Sequence, residues 1–164
     1  MTYAILGARG RVTNPEASLK TAREWAAQQG CEVLVADAQL VIGQDHLDSA
    51  VRHAMRAHER RTMVAHTLSM ETLRYLAAQR QVADAIRLAG IRVGTETIAM
   101  VVFGPDDGND LVETFRWIRD DAVLNARGKD LSPFGLTKIE TATVPERERA
   151  DLVLERLALL DVQK

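Results

Sequence analysis

Apolar residues recur at helical spacing through residues 62–90, and this stretch predicts two consecutive helices. The spacing i, i+3 or i+4, i+7 places Met70, Leu73 and Leu76 on one side of the first helix. The same spacing places Val82 and Ile86 on one side of the second helix. The predicted helices span residues 69–79 and 80–90, with the polar run Gln79-Arg80-Gln81 at their junction.

The remainder of the chain alternates short apolar runs with amphipathic stretches, which predicts an α/β fold. The run Thr97–Phe103 is apolar for most of its length and predicts a central strand, because such a strand is covered on both faces. The other predicted strands are Tyr3–Leu6, Cys31–Ala36 and the short piece Leu40–Ile42. The other predicted helices are Pro15–Gln29, Gln44–Glu59, Asn109–Asp120 and Val144–Val162. We expect one domain over residues 1–164, in which a mixed β-sheet of about four or five strands packs against helices.

Several predictions concern which side chains are buried. We expect His58 on the inner side of the helix over residues 44–59, and Ile118 in the core beneath the helix over residues 109–120. Residues 122–135 are rich in Asp, Gly, Ser and Pro and predict a loop.

The last predicted helix has apolar residues on more than one side. Val153, Leu157 and Leu160 share one side, and Leu154 lies between that side and the next. A helix on the surface of a monomer usually shows one apolar stripe, so we expect one side to face the core and the other to bind a partner. We assign Val153, Leu157, Leu160 and Leu154 to partner binding, and a helix buried wholly within the domain is the alternative.

Composition places the chain among ordinary globular proteins. Its 164 residues are 46% hydrophobic and 27% charged, and Cys31 is its only cysteine, which excludes an internal disulfide and fits a reducing compartment. No secretory leader or membrane-length apolar run is visible, so we expect a cytoplasmic protein with no membrane contact.

Charge is distributed unevenly although the formal net charge is only −2. Residues 45–92 carry eight arginines against five acids, whereas residues 105–164 carry nine basic and thirteen acidic residues. A local phosphate-binding surface on the first segment and a solvated helix face are both compatible with this pattern.

Motifs for catalysis or metal binding are absent from the sequence. His53 and His58 are five residues apart and do not form the pair on one helix face that a metal site needs. The predicted turn Gly7–Gly10 follows a strand, but it matches neither a dinucleotide-binding nor a P-loop motif. We therefore expect no catalytic residue, no metal and no cofactor, and a small nucleotide-binding enzyme using this turn remains the less favoured alternative.

The two predicted helices also carry a family resemblance. The order Thr67-x-x-Met70-Glu71, Arg74, Ala78-Gln79-Arg80-Gln81-Val82 and Ala85-Ile86-x-x-Ala89-Gly90 resembles the signature of the small subunit of the KEOPS complex, the kinase-binding TPRKB family. KEOPS makes threonylcarbamoyl-adenosine next to the anticodon of tRNA. The likeness extends from about Tyr3 to the C-terminus, and the helix pair is its most specific part.

The resemblance implies a non-catalytic regulatory subunit, acting as a monomer within a larger hetero-complex. Such a subunit binds and activates the atypical kinase/ATPase of the complex and helps to recruit tRNA through its 3′ CCA end, and it docks the kinase through its C-terminal helix. A single-stranded end is bound by stacking and by hydrogen bonds to base edges, with arginines on phosphates. The predicted RNA-binding residues are Met70, Arg74, Gln79, Arg80 and Gln81, with His46 and His66 at the margin. A purely structural kinase adaptor that ignores RNA is the alternative.

Overall fold

A computed structural model describes residues 1–163 of the chain, and the side chains of Glu146 and Gln163 lie outside the description. The strands are β1 (Tyr3–Arg9), β2 (Glu32–Asp37), β3 (Thr97–Phe103) and β4 (Ile118–Arg119). The helices are α1 (Pro15–Gln29), α2 (Gln44–Glu59), α3 (Leu68–Leu76), α4 (Val82–Ala89), α5 (Asn109–Thr114), α6 (Lys138–Ala142) and α7 (Arg149–Gln163). Short 3₁₀ turns lie at Ala38–Leu40, Asp121–Leu124, Ser132–Phe134 and Glu146–Glu148.

The four strands form one sheet in the order β2-β3-β1-β4. β3 is central, as its sequence predicts, and it pairs with β1 on one side and β2 on the other. The α/β fold and the strand number are confirmed, but the sheet differs from the prediction in one respect. Every described pairing is antiparallel, whereas a mixed sheet was expected.

Two apolar layers cover the two faces of this sheet. Alternate residues of β3 point to opposite faces, so Met100 lies in the layer beneath α1 and α5, and Val101 lies in the layer beneath α2, α3 and α7. Both residues are fully buried. Because both faces of β3 are covered, the sequence of this strand is a nearly continuous apolar run.

The predicted turn Gly7–Gly10 is wrong, because β1 continues through Arg9. Neither glycine has a positive φ. A Cβ on Gly7 would lie 2.6 Å from the carbonyl oxygen of Asp120, and a Cβ on Gly10 would lie 2.0 Å from the ring of Trp117. Close approach of the chain around β4, and not turn geometry, therefore requires glycine at both positions. The alternative of a nucleotide-binding turn loses its structural basis.

The helix predicted over residues 109–120 is also too long. α5 ends at Thr114, and Arg116 has a positive φ of 59° that turns the chain into β4. Ile118 is consequently 71% exposed on that strand and does not enter the core. The two-residue edge strand holds too few residues to show a periodic pattern, which is why the sequence did not reveal it.

Several other predictions about element boundaries and buried residues also differ from the structure. The piece Leu40–Ile42 begins at the last residue of a 3₁₀ turn and is not a strand. His58 lies on the exposed side of α2. Residues 122–135 are loop and 3₁₀ turns, as expected, yet Leu124 and Phe134 from this segment are buried in the core. The C-terminal helix was predicted from Val144 but starts at Arg149, after a separate 3₁₀ turn.

Candidate nucleic-acid and partner interface

A buried ion pair on α3 connects the segments at its two ends. Arg74 Nη1 donates to Glu71 Oε1 at 2.8 Å, and the two side chains are only 2% and 0% exposed. The second carboxylate oxygen of Glu71 accepts the backbone N–H of Val64 at 3.1 Å and of Ala65 at 2.8 Å. Arg74 Nε donates to the carbonyl oxygen of Arg80 at 2.9 Å. The pair therefore fixes the loop before α3 and the backbone after it with one set of charge-assisted hydrogen bonds.

The local sequence forms both ends of α3. Thr67 is the N-cap, and its hydroxyl accepts the N–H of Met70 at 3.2 Å. At the other end Ala78 adopts a positive φ of 51°, and the N–H of Gln79 closes the last turn on the carbonyl of Arg74 at 2.9 Å. We call residues 79–81 the interhelical junction.

The junction presents polar side chains to solvent. Arg80 and Gln81 are exposed, and Gln79 is half-buried with its amide nitrogen 3.3 Å from the carbonyl oxygen of Ala77. Gln81 occupies the N-cap position of α4 but makes no side-chain capping bond. The junction is thus a polar surface with a fixed backbone.

Two of the predicted RNA-binding residues are inside the protein. Arg74 is 1% exposed and His46 is 0% exposed, so neither has a surface that could contact a nucleic acid. The prediction that these two residues contact RNA directly is therefore wrong, and both have a structural role. Sequence alone could not separate these residues from exposed ones, because an arginine on an amphipathic helix is usually at the surface.

His46 bridges α2 to the end of α3. Its Nδ1 accepts the N–H of Ile42 at 2.9 Å, so the ring proton is on Nε2, which donates to the carbonyl of Leu76 at 3.0 Å. The ring also meets Phe134 edge-on, with centroids 5.4 Å apart. Burial lowers the pKa of His46 to about 4, so the ring is neutral at physiological pH.

Met70 lines an apolar cavity of about 510 Å³ between α1, β2, α3 and α4. The lining includes Leu19, Val35, Ile86 and Ile91, and Ile86 is itself 49% exposed. Neither Gln79 nor Gln81 belongs to this lining. His66 is exposed in the loop before α3. Met70 and His66 therefore lie at the start of α3 and the junction at its end, so the predicted set does not form one pocket.

The apolar stripe of the C-terminal helix that was assigned to partner binding is buried inside the protein. Val153 and Leu157 are 0% exposed and Leu160 is 3% exposed, and all three join the core layer of α2 and α3. Their assignment to partner binding is therefore wrong, because they are already covered by this chain. Leu154 is half-buried.

A different part of α7 is apolar and exposed. Leu159 is 46% exposed and Val162 is 81% exposed, and we call these two residues the α7 apolar edge. Asp161 lies between them in sequence and accepts the hydroxyl of Tyr75 at 2.5 Å, and its other oxygen lies 2.7 Å from Nδ1 of His53. These contacts fix α7 against α2 and α3. The sequence did show two apolar sides, but it did not show which one was the core side.

The family is decided by a comparison with known proteins. The family model described as kinase binding protein CGI-121 matches residues 11–133, about three quarters of the chain. The chain belongs to the CGI-121 family of kinase-binding proteins. No curated protein matches it at a significant level of similarity.

Membership of the CGI-121 family supports a kinase as the partner and a regulatory, adaptor-like role. The match contains the Glu71–Arg74 pair and the junction, but it ends before α6 and α7. Among the side chains that the structure describes, no group of His, Cys, Asp or Glu is arranged to hold a metal ion. None of the described helices is long and apolar enough to cross a membrane.

Proposed function

We propose that this protein is a non-catalytic subunit of the KEOPS complex that binds and activates the kinase/ATPase subunit and helps to recruit tRNA through its 3′ CCA end. The observation that carries the proposal is the CGI-121 family match, which supports a kinase partner. The KEOPS setting, the activation and the tRNA contact come from the resemblance of the helix pair and are the finer part of the proposal.

The proposed kinase contact is the α7 apolar edge. Leu159 and Val162 are exposed apolar residues on a helix whose opposite side is buried, and exposed apolar residues near each other favour a protein contact over solvent. The proposed contact replaces the one inferred from sequence, because Leu157 is not accessible.

A binding assay with the purified kinase partner tests this surface. Leu159→Glu combined with Val162→Glu should abolish retention of the kinase while leaving the circular dichroism spectrum unchanged. Ile118→Glu is the matched control, since Ile118 is also an exposed apolar residue but lies on the distant edge strand. Full retention by the double variant would refute the assigned surface and leave the family membership intact.

The proposed RNA contact is the interhelical junction, with His66 and Met70 as a second contact at the other end of α3. Arg80 can donate to phosphate, Gln79 and Gln81 can bond to base edges, and Met70 offers an apolar wall at the other end of α3. The rigid attachment of the Arg80 backbone to Arg74 lowers the entropy that the junction loses when it binds.

Titration of the protein with tRNA that has or lacks the CCA end tests the contact at one fixed salt concentration. Arg80→Gln should weaken binding of intact tRNA about tenfold, since it removes one charge-assisted contact. Arg11→Gln is the control, because Arg11 is also an exposed arginine but lies before α1. Equal binding of the two tRNA forms would contradict the proposal.

A kinase adaptor without RNA binding is the second candidate. The burial of Arg74 and His46 favours it, since only part of the predicted RNA set remains accessible. The tRNA titration separates the two candidates directly.

A further inference from the structure

A second cavity, of about 650 Å³, lies where the start of α7 meets the loop of residues 126–131. We call it the basic cavity because Arg127, Lys129, Arg147 and Arg149 all line it. The residues that complete the lining are Ile42, Ala126, Gly128, Leu131, Pro145 and Ala150. Four cationic side chains thus meet in a segment of the chain, residues 105–164, whose overall charge is negative.

The arginines of the basic cavity have no carboxylate partner among the side chains that the structure describes. No ion pair described for residues 1–163 includes Arg127, Arg147 or Arg149. Arg127, Arg147 and Arg149 therefore carry charges that no described carboxylate pairs with at close range, and the cluster raises the local potential for an anion.

One donor in the cavity is shielded from water and unused. Nε of Arg149 is buried and has no hydrogen-bond partner within the described part of the chain. A buried N–H without an acceptor costs about 1–3 kcal/mol. A ligand oxygen reaches this N–H only if the side chain moves, so the case for a ligand rests on the charge and the shape of the cavity.

Lys129 serves a different purpose from the arginines. Its Nζ donates to the carbonyls of Ala38 at 2.7 Å, Val41 at 2.6 Å and Val123 at 2.5 Å, which uses all three of its N–H groups. It therefore fixes the loop that carries Arg127, and it contributes charge but no free donor. The arginines supply the contacts.

The chemistry of the lining defines the ligand class. Guanidinium groups bind phosphate oxygens in a bidentate manner, and several of them suit a doubly charged phosphate monoester. Ile42, Leu131 and Pro145 form an apolar wall beside them. The first residues of α7 also line the cavity, and the positive end of a helix dipole favours an anion there.

We propose that the basic cavity binds a small phosphate monoester that has an apolar or aromatic portion, with the phosphate on Arg127, Arg147 and Arg149 and the apolar portion against Leu131. A volume of about 650 Å³ is in the range of small-ligand sites. This site is separate from the junction and from the α7 apolar edge, so the proposal does not depend on the proposed function.

Isothermal titration calorimetry of the full chain with AMP tests the proposal. AMP is expected to bind saturably and about tenfold or more tightly than adenosine, which lacks the phosphate. Arg147→Gln combined with Arg149→Gln should weaken AMP binding by about tenfold or more. Arg23→Gln, an exposed arginine on the helix that covers the opposite face of the sheet, should leave it unchanged.

Further arms separate the sources of phosphate and exclude misfolding. Inorganic phosphate alone should bind more weakly than AMP, because it lacks the portion that contacts the apolar wall. Amide chemical shifts should move at residues 126–131 and 147–150 upon addition of AMP. Absence of saturable AMP binding, unchanged AMP affinity in the double variant, or equal binding of AMP and the phosphodiester dinucleotide CpC would each overturn the proposal. A thermal melt of each variant verifies that it is folded.

Discussion

Replacement of Arg74 by methionine should destabilise the protein strongly, because it leaves the carboxylate of Glu71 buried without its cation. The two side chains are 2% and 0% exposed and lie 2.8 Å apart. Removal of one partner of such a buried pair typically costs about 3–5 kcal/mol. Arg74→Met also frees the carbonyl of Arg80, which is bonded at 2.9 Å. The expected loss is a large part of the total stability of a folded domain, which is about 5–15 kcal/mol.

α4 offers a matched control in the same spacing. Arg87 and Asp84 are also three residues apart, but their atoms are 3.6 Å apart and their side chains are 67% and 48% exposed. An exposed pair contributes about 0–1 kcal/mol, so Arg87→Met should have little effect. The comparison isolates burial, because both changes remove an arginine from an i, i+3 pair with an acid.

Urea denaturation monitored by circular dichroism measures both free energies of unfolding. The double variant Glu71→Gln with Arg74→Met should lose less stability than Arg74→Met alone, since no charge remains buried. The introduced amide oxygen can still accept the N–H of Ala65. Equal losses of under about 1 kcal/mol for Arg74→Met and Arg87→Met would refute the reasoning.

Three other predictions concern the remaining contacts. The pKa of His46 falls from 6.5 to about 4 on folding, so the unfolded chain takes up the proton at a higher pH than the folded chain does. The free energy of unfolding should therefore decline by about 3 kcal/mol as the pH falls from above 6.5 to about 4. His46→Gln should flatten this dependence in urea titrations at several pH values. Gly10→Ala should lower the melting temperature, because the new Cβ meets the ring of Trp117 at 2.0 Å, and restoration by the further change Trp117→Ala would support this cause while its failure would count against it. Tyr75→Phe should cost about 1–3 kcal/mol and increase amide exchange in α7, because the hydroxyl donates to a carboxylate at 2.5 Å, and unchanged exchange would contradict that role.

The amino-acid pattern determined those helices and strands that are long enough for their apolar residues to show a period. α1, α2, α3, α4 and β3 all lie where their apolar spacing predicts them. The apolar faces of α1, α2 and α3 lie in the two core layers, and β3 is covered on both faces, so local pattern and burial agree there. In α4 only Ala85 and Ala89 are buried, and Ile86 of its predicted apolar side is 49% exposed. Asn14 caps the start of α1, since its side chain accepts the N–H of Ala17.

Tertiary structure decided what no local pattern contains. Whether Arg74 is solvated or buried depends on Glu71 being covered by the rest of the fold, and which stripe of α7 becomes core depends on the position of α2 and α3. The short strand β4 arises from pairing with β1, a segment distant in sequence. A sequence specifies side-chain chemistry at each position, but only the packed chain sets which of those side chains remain accessible to a partner.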